Sequence, residues 1–271
     1  SCTNNDVHIL KSPDNNIELT FEINNGQAFY SVKKNNESII KKSKLGMLLE
    51  NGLNLGEDLE ILDLSISSSN NSWTPLFGEV DKIIDNYKNL NVKLSQNNIS
   101  FNIFFRAYND GIAFRYNIPN QTEISNYNIM DEYSEFNLNS KDTAWWIPAF
   151  SYRRYEFLYA ESPIDKISKK YFSENIEDIS YDSLGIDAAH TPLTIKKYNG
   201  YHISIHEANL VNYSSMTLAP IGQGKLEVEL YPWADGTKVK LDNEIISPWR
   251  YIQIADNSSE LLMSNIILNL N

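Results

Sequence analysis

The sequence predicts an all-β fold, a large antiparallel β-sandwich, and three observations carry that expectation. Apolar residues recur at every second position in segment after segment; Asn- and Gly-rich turns join some of these runs at hairpin spacing; no comparably long segment repeats its apolar residues every 3.6 positions. The first hairpin alternates at Ile17, Leu19, Phe21 and Ile23, turns at Asn24-Asn25-Gly26, and resumes from Phe29 to Val32. A second alternates at Phe101, Ile103 and Phe105, turns at Asn109-Asp110-Gly111, and returns through Ile112, Phe114, Tyr116 and Ile118. There Asp-Gly is expected to supply the positive φ angles of a tight hairpin. The polar stretch from Asn54 to Asn71 reads as strand plus loop, and the charged stretch from Pro163 to about Asp182 as a short helix or surface loop. Further period-2 runs follow at Leu226, Val228 and Leu230, around Tyr251, and at Ile266, Leu268 and Leu270. Two sheets packed face to face bury these alternating residues.

With 271 residues, no internal repeat and no low-complexity linker, the chain reads as one domain from residue 12 to 271, preceded by a linker over residues 1–11. The net charge of -12 repels phosphate backbones, and the Lys and Arg residues form no long basic stripe, so nucleic acid is not an expected partner. No apolar run approaches the roughly 18 to 20 residues of a membrane span. One cysteine excludes an internal disulfide. It lies in Ser1-Cys2-Thr3-Asn4-Asn5-Asp6, a start that resembles a processed bacterial lipoprotein, in which Cys2 would carry the lipid. A lipid there would be the only membrane contact, and the expected location is the periplasm or the outer membrane. The alternative is an ordinary thiol at a frayed terminus.

One strand carries chemistry. In Tyr201-His202-Ile203-Ser204-Ile205-His206-Glu207-Ala208, alternation puts Glu207 on the apolar face with Ile203 and Ile205, and His202, Ser204 and His206 on the other. A buried carboxylate costs several kcal/mol unless a metal, a cationic side chain or a proton compensates it. Glu207 is therefore either a site residue or a structural glutamate that has reached water or met an arginine. His202 and His206 would stand about 13 Å apart on a strand, which rules out a dihistidine metal site. A glycosidase-type pair needs a second carboxylate, and the sequence singles out none. Trp145 and Trp146 are neighbours on a strand, so only one ring can enter a given core; the other is free to stack on a sugar or to meet another domain.

Six ordered segments, with a short opening block and one around residue 75, carry a resemblance. They are Tyr108-Asn109-Asp110-Gly111-Ile112-Ala113-Phe114-Arg115-Tyr116, Thr143-Ala144-Trp145-Trp146-Ile147-Pro148, Thr191-Pro192-Leu193-Thr194, Ser204-Ile205-His206-Glu207-Ala208, Pro248-Trp249-Arg250-Tyr251-Ile252-Gln253-Ile254 and the stretch from Ser264 to Asn271. Ser12-Pro13-Asp14 and Trp73-Thr74-Pro75 to Gly78-Glu79 fit as well. Together they resemble the N-terminal domain of glycoside hydrolase family 97, bacterial α-glucosidases and α-galactosidases. The resemblance implies a β-super-sandwich similar to galactose mutarotase, packed against a catalytic (β/α)8 barrel of the same polypeptide that acts on an oligosaccharide. It implies that the catalytic acid, base or nucleophile lies in the barrel, so no catalytic residue is expected in this chain. It also implies a calcium ion at the active site, to which Glu207 would lend one carboxylate.

Two other readings stay open. An independent carbohydrate-binding module would use Trp145, Trp146 or His206 against a sugar. An aldose-epimerase-like enzyme would need His206 and Glu207 to converge, and their opposite strand faces argue against that.

Overall fold

The computed structural model describes residues 6–78, 80–149, 155–176 and 185–271. Two large antiparallel sheets face each other. The smaller has eight strands, in the order Asp6–Lys11, Ile17–Asn24, Gln27–Lys34, Glu37–Leu45, Glu135–Asn137, Lys225–Leu230, Met216–Gly222 and Ala189–His190. The larger runs from Ala160–Pro163 through Thr143–Trp146, Leu193–Lys196, His202–Ala208, Trp249–Ala255, Gly111–Ile118, Ile99–Tyr108 and Ile83–Gln96 to Glu60–Trp73, with Ile245–Ile246 beside Gly111–Ile118 as its tenth strand. A two-stranded ribbon pairs Ile129–Glu132 with Met47–Leu49. The all-β sandwich expected from the alternation is the architecture found.

The core lies between the sheets because each strand turns its apolar set inward. Ile17, Leu19 and Phe21 from one sheet meet Leu90, Val92, Phe105 and Phe114 from the other. Phe21 and Phe105 stand 5.5 Å apart between ring centres, and Tyr30 and Phe114 5.1 Å. Such tilted aromatic pairs add to the area they bury.

The first hairpin has a two-residue turn in which Asn25 and Gly26 both take positive φ, and Asn24 pairs with Gln27. The second differs from expectation. Gly111 is not in the left-handed region; it opens the returning strand and pairs with Tyr108. It is required instead because a Cβ there would lie 2.2 Å from the Ile252 carbonyl oxygen of the next strand.

Two further expectations are corrected, and one is met. Residues 6–11, read as linker, form an edge strand paired in register with Glu18–Ile23; Cys2 lies outside the described residues. The Ile266, Leu268, Leu270 run is not a strand but a short helix, Ile266–Leu270. Ile266 and Leu270 share a helical face at i, i+4 and pack on Ala208, Trp249 and Tyr251, while Leu268 is 42% exposed. Three alternate apolar residues fit either period at this length. The charged stretch after Pro163 holds a 3-10 turn, Ile164–Lys166, and a helix, Lys169–Asn175, that Ser168 caps by accepting the Tyr171 amide.

Candidate functional site

Glu207 lies on the inner face of its strand, as alternation requires, and is 7% exposed. Its cross-strand partner is Arg250, which is fully buried. Arg250 Nη1 donates to Glu207 Oε2 at 2.5 Å, while its Nε and Nη2 donate to the two oxygens of Glu132 at 2.9 and 2.7 Å. One guanidinium thus holds two carboxylates, one of them bidentately. Glu132 also accepts from Ser134 Oγ and Tyr213 OH, each at 2.9 Å, and Glu207 Oε1 accepts the Met216 amide at 3.0 Å.

The electrostatics follow from that geometry. Burial alone would raise the Glu132 carboxyl, but the charge and hydrogen bonds of Arg250, with those of Ser134 and Tyr213, hold it below its ordinary value. Arg250 is kept protonated: burial opposes its charge, and the two carboxylates more than offset it. The trio carries two negative charges against one positive. It therefore has one excess negative charge where the strand bearing Glu207 ends.

Beside the trio opens a groove of about 630 Å³ lined by Tyr213, Tyr231, Trp233, Lys238, Lys240 and Asp242. Tyr213 links the two, because its hydroxyl donates to Glu132 and the residue lines the groove. Trp233 is 60% exposed, with Lys240 Nζ 5.3 Å from its ring centre.

The other residues singled out from sequence lie elsewhere. His206 faces away from Glu207, contacts Thr191 Oγ1 through Nδ1 at 2.9 Å, and meets the Tyr251 ring edge-on. Burial, with the nearby Arg250 charge, depresses its imidazole to about 4, so it is neutral at neutral pH. Trp146 is core: it is 1% exposed, its Nε1 donates to Ser162 Oγ at 2.9 Å, and its ring packs on Phe172. A ring enclosed in that way offers no face to a sugar. Trp145 is half-buried and donates to Glu161 Oε2 at 3.2 Å. The exposed tryptophan beside a groove is Trp233, which lies in no alternating segment and so drew no attention. Arg250 and Glu132 were also missed, although a lone arginine in the apolar run Trp249-Arg250-Tyr251-Ile252 is itself a signal of a buried partner.

Among the described residues no three His, Cys, Asp or Glu side chains gather into a metal cluster. The Glu207 carboxylate could supply one oxygen ligand to a cation. A carboxylate has about four acceptor positions, two of which are occupied here, and the excess negative charge favours a cation.

The structure defines an all-β sandwich of two large antiparallel sheets with a buried polar network between Glu207, Arg250 and Glu132. The Glycosyl-hydrolase 97 N-terminal family model matches residues 10–271, and the chain belongs to that family. It is similar to a retaining alpha-galactosidase of Bacteroides thetaiotaomicron, 24% identical over 276 residues, spanning 95% of this chain and 40% of that protein. Among solved structures it is similar to a Glycoside Hydrolase Family 97 enzyme in complex with acarbose from Pseudoalteromonas sp. strain K8. The identity is 32%, the TM-score 0.87, and the match covers 97% of this chain and 38% of that one. A beta-arabinopyranosidase, 20% identical with a TM-score of 0.77 over 92% of this chain and 40% of that one, shares the fold. The chain thus spans about two fifths of the length of these relatives.

Proposed function

We propose that the chain serves as the N-terminal accessory domain of a calcium-dependent hydrolase of α-glycosidic bonds, packed against a catalytic (β/α)8 barrel of the same polypeptide. The observation that carries this reading is the Glu207–Arg250–Glu132 trio, which fixes the Glu207 carboxylate near the end of its strand with acceptor positions to spare. Arg250 orients Glu207 from one side and the Met216 amide from the other, so the carboxylate is positioned before a partner arrives. Calcium takes six to eight oxygen ligands, so most would come from the barrel and this chain alone would bind the ion weakly. A calcium ion held there would supply positive charge near the scissile bond. The groove beside Tyr213 would face the oligosaccharide.

The test is calorimetric titration of calcium into this chain and into the longer polypeptide carrying the barrel, each with native sequence and as Glu207→Gln. Binding by the longer protein, weakened about tenfold or more by the substitution, with weak or no binding by the chain alone, supports the reading. Equal affinity before and after substitution overturns the role of Glu207.

A second reading, an independent carbohydrate-binding module, is favoured by exposed Trp233 over its groove. It requires measurable affinity of this chain alone for an oligosaccharide, lost in Trp233→Ala.

A further inference from the structure

The outer face of the ten-stranded sheet carries an arrangement the trio does not use. Ser67, Asn89, Arg106, Ala113, Tyr251 and His206 form one row of cross-strand partners, and Phe104 and Arg115 pair two positions further along the same strands. Cross-strand partners share a face, as do residues two apart on a strand, so Arg106 and Arg115 project from the same side. Both guanidinium groups lie against one indole: Cζ is 4.6 Å from the Trp249 ring centre for Arg106 and 4.4 Å for Arg115. Tyr87 adds a second aromatic contact to Arg106 at 4.3 Å.

These arginines lack what buried arginines usually have. Among the described residues the ion pairs involve Arg250 and lysines, and neither Arg106 nor Arg115. The Nε of each is buried without a hydrogen-bond partner. Arg106 makes one long contact, from Nη1 to Tyr108 OH at 3.4 Å. Asp85 is near enough to feel the Arg106 charge, yet burial raises its carboxyl, and its Oδ1 also has no partner. Arg115 is pushed down by burial and by the charge of Arg106. Two like charges on a partly dehydrated surface are each made less favourable by the other. An anion between them relieves both.

Beside the pair is a groove of about 270 Å³ into which Ser67, Ser69 and Asn89 also open, offering hydroxyl and amide donors. A guanidinium fork matches a planar carboxylate with two parallel hydrogen bonds, and an aromatic floor fixes the fork in place.

We propose that Arg106 and Arg115, held by Trp249, form a carboxylate-binding site on the outer face of the ten-stranded sheet. The carboxylate is either an acidic side chain of a protein segment laid across this face or a free organic acid; the chemistry is the same. The site is separate from Glu207, which faces the interior, and it does not depend on the proposed calcium ligation.

The chain has five arginines, so its Nε–Hε region in a 15N-correlated NMR spectrum is simple, and Arg106→Lys and Arg115→Lys assign the two signals while keeping the charge. Glutarate is titrated against sodium chloride at matched ionic strength. The expected result is a saturable shift of both signals in the native chain, with affinity roughly tenfold or more lower when either fork is lost. Shifts that follow ionic strength alone, or sulfate binding as tightly as glutarate, overturn the proposal. A glutamate-rich peptide at equal carboxylate concentration separates the sources: tighter binding than glutarate assigns a protein side chain, equal or weaker binding a free acid. The native titration stands even if a variant fails to fold.

Discussion

Glu207 and Arg250 are direct cross-strand partners on the inner face of the larger sheet, joined by a hydrogen bond of 2.5 Å in a place where their neighbours on the same strands, Ile205 and Ile252, are wholly apolar. The pair is completed by Glu132 from the two-stranded ribbon, so the network ties that ribbon to the larger sheet.

Removing the cation should cost more than removing either anion. Arg250→Met leaves Glu132 and Glu207 buried without their shared partner, and breaking a buried pair in this way costs about 3–5 kcal/mol. Urea unfolding checks it, with Glu132→Gln/Glu207→Gln/Arg250→Met as the companion variant. The triple variant should recover part of the loss, since no uncompensated charge remains; a triple variant less stable than Arg250→Met would contradict this account.

His206 gives stability a defined pH dependence. Its ordinary value is 6.5 and its folded value about 4, so between these the unfolded chain binds more protons than the folded one. Stability from this group is complete above about pH 6.5 and falls as pH drops toward 4, by up to about 3 kcal/mol. His206→Gln should flatten the slope of unfolding free energy against pH in that window. An unchanged slope would show that His206 binds protons equally in the folded and the unfolded chain. His190, also lowered by burial, contributes in the same sense and remains in the variant.

Gly111→Ala tests the reason for that glycine. A methyl group would meet the Ile252 carbonyl at backbone distance, so the strands must separate or the pairing with Gln253 must break. A cost of about 1–3 kcal/mol is expected, visible as a lower urea midpoint. Gly52→Ala, at a positive φ of 82° but with nothing nearby, should cost less.

The adjacent tryptophans should separate cleanly. Trp146→Ala removes a fully packed ring and its bond to Ser162 and should cost about 3–5 kcal/mol. Trp145→Ala, at a ring that is only partly buried, should cost no more than about 1 kcal/mol. Thermal unfolding of the two variants side by side decides it; equal losses would mean that Trp145 is as deeply packed as Trp146.

Much of this fold was legible because strand period is a local property. Ile17 to Ile23 and Phe101 to Phe105 declare their faces without reference to anything distant, and the burial of Glu207 followed from its position two residues after Ile205. What could not be read were the pairings across sequence. Glu132 lies 118 residues from Arg250, and no local pattern announces that they meet. The helix at Ile266–Leu270 was unreadable for a related reason: it is decided by the outer face of the sheet, which offers Trp249 and Ala208 to Ile266 and Leu270. Gly111 was noticed for the wrong cause, since its neighbour Ile252 arrives from a strand far along the chain.

The terminal helix has one more effect. Asn271 Oδ1 accepts the backbone amide of Asn209 at 2.6 Å, two residues beyond Glu207. Residue 271 is therefore moored beside the strand that carries the carboxylate. Any polypeptide joined at that point begins its path a few residues from Glu207, and a short tether of that kind converts an encounter between two separate bodies into an intramolecular one at a local concentration of the millimolar order. A ligand set divided between this sandwich and a following domain would then need only modest affinity from each half.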